Sequence, residues 1–335
     1  MTTPTKPRVL VTRAVFPEHL ERLAAHFDVE PNQNDEPIAP DRLAMRVQNL
    51  EGLLVTGGDR IDARLLDRAT SLRVVSTISV GTNHIDLAAC AARSIVVTNT
   101  PDVLTETTAD FGWTLMMAAA RRVTEAEHWL RGGHWQRWSL DQFLGADVHH
   151  ATLGILGMGR IGQALARRAA GFSMRVLYHN RSRLSIEIEE QCRASYVSRD
   201  ELFAQSDHLI LVVPYTEDNH HTVGATELAR MKPTATLTNI ARGGLIDEGA
   251  LAEALANGRL SAAALDVYEG EPSIDPRILA LSNVVLTPHL GSASRATRGA
   301  MAMLAIENLI DALAGREPPN RVASQESLSL VKQRK

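Results

Sequence analysis

The chain has 335 residues, 44% hydrophobic and 22% charged, with a formal net charge of −4. That balance is globular, long enough for two domains at about 100–200 residues each, and it excludes the broad basic footprint of a nucleic-acid binder. No apolar run reaches the roughly 18 residues a membrane helix needs, and "MTTPTKPRVLVTR" carries no signal-peptide core, so no membrane partner and a cytoplasmic location are expected.

In chain order, short β-rich runs alternate with helix-length segments. "RVLVT" (8–12), "GLLVT" (52–56), "LRVVSTI" (72–78) and "SIVVTN" (94–99) come first. The pattern over 104–133 then reads as one long helix that follows Pro101 and closes on Gly132 and Gly133, the natural seam of the chain. Beyond it, "RGGHWQRWSLDQFLG" gathers Trp135, Trp138 and Phe143. Further strands are expected at 152–157, 174–179, 207–214, 235–241, 261–267 and 283–289. A second helical run covers 292–317, and the tail after Pro318 and Pro319 is polar and expected to be loose. Strands alternating with helices imply parallel sheets with right-handed crossovers, and this many strands divide naturally into two α/β units. Cys90 and Cys192 fall in helix-like stretches without metal-ligand spacing and read as buried thiols in a reducing compartment.

The stretch "GILGMGRIGQALARR" follows an apolar strand and opens a helix. Gly157 permits a tight turn, Gly159 lets the backbone approach a pyrophosphate, and Gly162 lets helix and strand pack closely. Met158, Arg160 and Ile161 complete the turn, whose helix-terminal amides suit phosphates. An ordinary glycine-rich turn is the plain alternative. About 20 residues further on, an Asp or Glu normally accepts from the adenosine ribose. Here Asn180, Arg181, Ser182 and Arg183 stand in its place. Either the turn binds no nucleotide, or it takes one whose 2′-phosphate repels an acid and wants Arg and hydroxyl donors.

Three motifs place chemistry at strand ends: "NIARGGLIDEGAL" with Arg242, "ALDVYEGEP" with Glu271, and "LTPHLGSAS" with His289. Carboxyl ends of parallel strands frame the ligand crevice of such sheets. A cation, an acid and an imidazole gathered there suit reduction of an α-keto acid. Arg grips a carboxylate and polarises the neighbouring carbonyl, His supplies the proton as hydride reaches carbon, and Glu favours the imidazolium. Singly, each also reads as structural: a helix-start Arg, a turn Glu before Pro272, a strand-end His. The pairs His149–His150 and His220–His221 are read as strand neighbours pointing oppositely, with no third ligand in reach, so no metal is expected.

These motifs, with "LILVVPYTEDNHHTVG" and "MKPTATLTNIARGGLIDEGAL", make the chain resemble the D-2-hydroxyacid dehydrogenase family from about residue 8 to 320. "STISVGTNHID", "TPDVLTETTAD" and "GADVHHATLGILGMGRIG" are most similar to bacterial glyoxylate/hydroxypyruvate reductases that also reduce 2-ketogluconate. The resemblance implies an α/β fold of two Rossmann-like, doubly wound parallel-sheet domains with a cleft between them. A discontinuous, flavodoxin-like substrate domain would cover 1–100 and 289–335, and an NAD(P)-binding Rossmann domain 101–288. Arg242 becomes the substrate anchor, His289 the acid/base and Glu271 its partner. Amides around Val80 and Gly81, with Thr82 nearby, would hold the substrate carboxylate. Thr108, Val213, Pro214, Ile240, Ala241, Asp266 and Gly291 join the glycine turn and Asn180–Arg183 around the cofactor, with Arg242 and His289 bordering it. NADPH is expected in preference to NADH, because Asn180 removes the acid while Arg181, Ser182 and Arg183 supply donors. A homodimer is implied too, with the Trp138 segment as an arm.

Alternatives remain at this point. A phosphite dehydrogenase would carry a Lys in the stretch matching "TISVGTNHID", and none lies between 72 and 99. A formate dehydrogenase would carry Gln where Glu271 stands. A non-catalytic dinucleotide sensor would keep the same residues. Arg13 and Arg60 are basic candidates for distal substrate contacts.

Overall fold

All ten β-rich runs become strands, and two further strands join them. The structure, a computed structural model, describes residues 6–322, so most of the polar tail lies outside the described residues.

One unit consists of Met1–Leu104 and Ser294–Lys335. Its strands β1 (Arg8–Val11), β2 (Asp28–Glu30), β3 (Gly52–Val55), β4 (Val74–Thr77) and β5 (Val96–Thr98) form a parallel sheet in the order β2-β1-β3-β4-β5. The inner strands are apolar at nearly every position because both faces are covered. Successive side chains alternate between those faces. Leu10, Leu53, Val55, Val75 and Val97 enter one core. Val9, Val11, Leu54 and Val74 enter the other, against Ile306, Leu309 and Leu313. The last three belong to helix Arg295–Leu313, so this sheet is completed only when the chain returns from the second unit.

The second unit is Thr105–Ala293. It contains β6 (Thr152–Leu156), β7 (Arg175–His179), β8 (Ala194–Tyr196), β9 (His208–Leu211), β10 (Thr236–Asn239), β11 (Ala262–Leu265) and β12 (Val284–Leu286). They form a parallel sheet ordered β12-β11-β10-β9-β6-β7-β8. The chain starts mid-sheet at β6, runs outward through β7 and β8, then crosses back to β9 and proceeds the other way. The order therefore reverses between β6 and β9, where open sheets of this kind bind ligands beyond the strand ends. Alternation again divides the core. Leu156, Leu177, Leu209, Leu237 and Leu265 lie on one face. Leu153, Ile155, Val176, Tyr178 and Ile210 lie on the other with Ala109, Leu115 and Met116 of helix Thr105–Ala120.

The reading of the long helix needs correction. The long helix expected over 104–133 is two helices, Thr105–Ala120 and Val123–Arg131. Arg122 divides them with a left-handed φ of 53°, held by two 2.8 Å bonds to Glu125. His289 and Gly291 lie in the second unit. Both cysteines are buried and unbridged, and burial pushes the Cys90 thiol up to about 12. Among the described residues no helix is long and apolar enough to cross a membrane.

Candidate active site

The glycine turn closes the carboxyl end of β6. Gly157 has φ of 104°, and a Cβ there would lie 2.7 Å from the Val213 nitrogen. A Cβ on Gly162 would lie 2.4 Å from the Gly157 oxygen, so these two glycines are required by the chain's own backbone. Gly159 differs: a Cβ there would meet nothing within 4 Å. It caps helix Arg160–Ala169, which Ile161 and Gly162 continue. Val213 and Pro214 follow β9, where Val213 backs the turn and the Pro214 carbonyl accepts from Asn219 Nδ2 at 2.8 Å.

The loop after β7 carries Asn180, Arg181, Ser182 and Arg183. Asn180 Oδ1 accepts the Met158 N–H at 2.7 Å, tying this loop to the glycine turn. That bond was not legible from spacing. Arg181 and Ser182 are exposed, and Arg181 makes no hydrogen bond or ion pair among the described residues. Arg183 instead donates two bonds to the buried Glu189, from Nε at 2.9 Å and Nη2 at 2.7 Å.

The remaining candidates sit on loops after β10, β11 and β12. Ile240 and Ala241 are buried, and Asn239 brackets the turn by accepting from the Ala241 N–H and donating to the Arg242 carbonyl. Arg242 Nη1 donates to the Ala241 carbonyl at 2.6 Å. Burial pulls the Arg242 guanidinium below its ordinary value, against the opposing charge of Glu271. Asp266, 1% exposed, accepts from Thr287 Oγ1, the Leu290 N–H and the Gly291 N–H at 2.7–2.8 Å. Burial pushes its carboxyl up although these donors oppose the shift. Thr108, buried on helix Thr105–Ala120, stands 3.4 Å from the Cβ position of Gly291. Asp266 thus laces together the loop that presents His289, a role the motif alone did not reveal.

His289 adopts φ of 55°, unusual for a residue with a side chain, while its N–H bonds the Asp266 carbonyl at 2.9 Å. Its Nδ1 lies 2.8 Å from Glu271 Oε2, and the Tyr268 N–H donates to Glu271 Oε1 at 3.0 Å. A carboxylate is an acceptor, so Nδ1 carries the proton and Nε2 faces away from Glu271. Burial pushes Glu271 up. The His289 bond and charge, the Tyr268 N–H and the Arg242 charge outweigh it, and the carboxyl settles below its usual range. Arg242, Glu271 and His289 therefore form one electrostatic group.

Val80, Gly81 and Thr82 belong to the first unit, in the loop after β4. The Ser79 hydroxyl donates to the Gly81 carbonyl and Asn99 Nδ2 to that of Val80. Among the described residues no acceptor meets the N–H groups of Val80, Gly81 or Thr82. Arg13 is engaged with Asp35 through two bonds, and Arg60 pairs with Asp62 at 3.3 Å.

The histidine pairs lie in turns, not strands, so the expected opposite orientation fails. His149 and His150 meet through their Nδ1 atoms at 2.9 Å. His220 and His221 stack at 3.8 Å, and both reach Glu269, from a segment nearly fifty residues away. A third potential ligand is therefore present beside this pair, contrary to the spacing argument. Trp135 and Trp138 are 57% and 74% exposed, as are Leu140 and Leu144 at 81% and 67%.

The pattern defining the NAD-binding domain of D-isomer specific 2-hydroxyacid dehydrogenases matches residues 113–291. A glyoxylate reductase of Thermococcus gammatolerans is 44% identical over 321 residues, covering 95% of this chain and 96% of that protein. A glyoxylate/hydroxypyruvate reductase B of Shigella boydii is also 44% identical, over 95% of this chain and 98% of its own. Among solved structures, an NADPH-dependent glyoxylate/hydroxypyruvate reductase of Sinorhizobium meliloti, in complex with NADP and malonate, superimposes with a TM-score of 0.86 at 34% identity, covering 96% of this chain and 98% of that one. The pattern match and the full-length likeness to these relatives show the family: the chain belongs to the D-isomer specific 2-hydroxyacid dehydrogenases, oxidoreductases acting on a CH–OH group.

Proposed function

We propose that the chain reduces glyoxylate or hydroxypyruvate, with 2-ketogluconate-type acids as a further substrate class, to the D-2-hydroxy acid, and that it prefers NADPH. The observation that carries the chemistry is the 2.8 Å bond between His289 Nδ1 and Glu271, within the charge group that includes Arg242. Names of relatives, and the NADPH-dependent neighbour above all, support the substrate and cofactor classes.

The residues present fit a dinucleotide. Gly159 has no internal contact that forbids a side chain, so its bare backbone suits the approach of a pyrophosphate beside Met158, Arg160 and Ile161. Arg181 and Ser182 offer exposed donors to a 2′-phosphate, and no carboxylate stands at Asn180 to repel it. Thr108, Val213, Pro214, Ile240, Ala241, Asp266 and Gly291 would complete the cofactor's surroundings. The second unit is accordingly assigned to dinucleotide binding and the first to substrate binding, where the acceptor-less amides of Val80 and Gly81, with Thr82, suit a carboxylate.

The nicotinamide, when bound, supplies a hydride to the keto carbon. Arg242 grips the substrate carboxylate and draws charge onto the carbonyl oxygen. His289 keeps its Nδ1 proton against Glu271 and gives the Nε2 proton to that oxygen, so the carbonyl becomes a hydroxyl. Glu271 holds the ring's orientation and stabilises its charged form. The exposed Trp135, Trp138, Leu140 and Leu144 suit the arm of a two-fold homodimer, and the buried, unbridged cysteines suit a cytoplasmic enzyme.

A panel of 2-keto acids assayed with NADPH and with NADH tests this reading. Turnover of glyoxylate or hydroxypyruvate, with a kcat/KM at least about tenfold higher for NADPH, is expected from one charge-assisted contact. NADPH binding without turnover of any 2-keto acid would contradict it and favour a dinucleotide-sensing protein.

A further inference from the structure

Helix Ile186–Cys192 buries a charged group that the chemistry above does not use. Glu189 is 5% exposed, yet it lies directly behind the loop of Asn180–Arg183. Its two oxygens accept the Arg183 fork, and Oε1 also accepts the Tyr178 hydroxyl at 2.7 Å. That hydroxyl in turn accepts the Leu184 N–H at 2.9 Å. One carboxylate thereby joins the end of β7, the following loop and the next helix. Arg183 and Tyr178 together hold it below the usual carboxylate range, so it is ionised at neutral pH.

An apolar side chain would fill this position without the cost of burying a charge. What Glu189 adds is direction. The Arg183 side chain of this pair is 61% exposed while Glu189 is buried, so the guanidinium is anchored from beneath through Nε and Nη2 and its remaining edge lies outside that fork. The sequence alone marks Arg183 only as a donor alongside Arg181 and Ser182. The fork to Glu189 sets its plane before any ligand arrives, and a donor already ordered loses less freedom on binding.

We propose that Glu189, with Tyr178, is a positioning residue for cofactor choice: it holds Arg183 and the 180–184 loop in the arrangement that receives the adenosine 2′-phosphate. The inference rests on the reading of this loop as the 2′-phosphate site. It predicts a division of labour in which Arg181 supplies the adaptable charge and Arg183 the fixed one.

The test is KM and kcat with each cofactor for wild type, Glu189→Gln, Tyr178→Phe, Arg183→Gln and the Glu189→Gln/Arg183→Gln double variant. Glu189→Gln should raise the KM for NADPH about five- to tenfold, the scale of one charge-assisted bond, and leave KM for NADH and both kcat values within about twofold. Tyr178→Phe, which keeps the ion pair but removes the Leu184 tie, should shift the cofactor ratio in the same direction by about two- to threefold. In the Arg183→Gln background, Glu189→Gln should add no further NADPH loss, because it acts through Arg183. A merely structural Glu189 would weaken both cofactors alike, and that result overturns the inference. So does an unchanged ratio in both single variants, or a tighter NADPH complex, which would mean that Glu189 competes with the phosphate. If Glu189→Gln does not fold, the Tyr178→Phe ratio decides alone. A wild-type enzyme without NADPH preference defeats the cofactor reading and this inference together. A wild type that prefers NADPH, with the ratio untouched in the variants, defeats only this inference.

Discussion

The glycine turn at 157–162 and the loop at 287–291 both close the carboxyl end of a strand, but they hold their shape by different means. The turn is fixed by local sterics: Gly157 and Gly162 are small because backbone atoms stand 2.4–2.7 Å from where a Cβ would be. The loop is fixed at long range. Asp266, more than twenty residues earlier, gathers the donors of Thr287, Leu290 and Gly291 and so places His289 at φ of 55°. The first kind of order is written in consecutive residues. The second depends on a buried carboxylate whose partners come together only in the folded unit.

The largest effect should come from the loop's own payload. His289→Ala removes the proton donor and should lower kcat by about 10²–10⁴-fold while cofactor binding persists. Near-normal turnover in that variant would take His289 out of the chemistry. Asp266→Asn probes the long-range clamp. An amide accepts through only one oxygen, so at least one of the loop's donors is left short. A fall in kcat on the order of tenfold is expected from the misplacement of His289, larger than the accompanying loss of cofactor affinity. Equal losses in cofactor binding would show that Asp266 serves the cofactor and not the loop.

The glycines sharpen the same contrast. Gly162→Ala forces a Cβ against the Gly157 carbonyl and should destabilise the protein by about 1–3 kcal/mol, read as a lowered Tm. Gly159→Ala should leave Tm nearly unchanged and weaken the cofactor instead. If both variants lose stability equally, Gly159 is as structural as its neighbours. The smallest effect is expected on the exposed loop after β7. Arg181→Ala should weaken NADPH by about tenfold and leave NADH almost untouched.

This contrast also accounts for what was legible beforehand. The inner strands could be read because apolar runs such as Leu53–Val55 and Leu209–Leu211 are buried on both faces. The missed strands, Asp28–Glu30 and Ala194–Tyr196, are three-residue edge strands with one neighbour each and little apolar patterning. The helix over 104–133 looked continuous because Arg121–Arg122 interrupts it by a backbone reversal, without a Pro or Gly to announce it. Within the site, Arg242, Glu271 and His289 stood out by motif. Asn180 meeting the Met158 N–H, Asp266 gathering three donors and Glu189 anchoring Arg183 are contacts between distant segments, which spacing does not encode. The His220–His221 pair failed for the same reason: Glu269 reaches it from another loop.

The central claim is that Glu271 and His289 work as a pair, with the carboxylate supporting the charged ring. Glu271 sits below its ordinary value in the folded protein, so it keeps its charge as pH falls past about 4.3, the usual Glu value. The pair should therefore remain intact from mildly acidic through neutral pH. The direct measurement is kcat/KM for reduction against pH, for wild type and Glu271→Gln, with cofactor binding as the folding control. In the wild type kcat/KM should hold from neutral pH down past about 4.3, whereas Glu271→Gln, which lacks the carboxylate at every pH, should be slower throughout that range. A variant as fast as the wild type across that range would contradict the account.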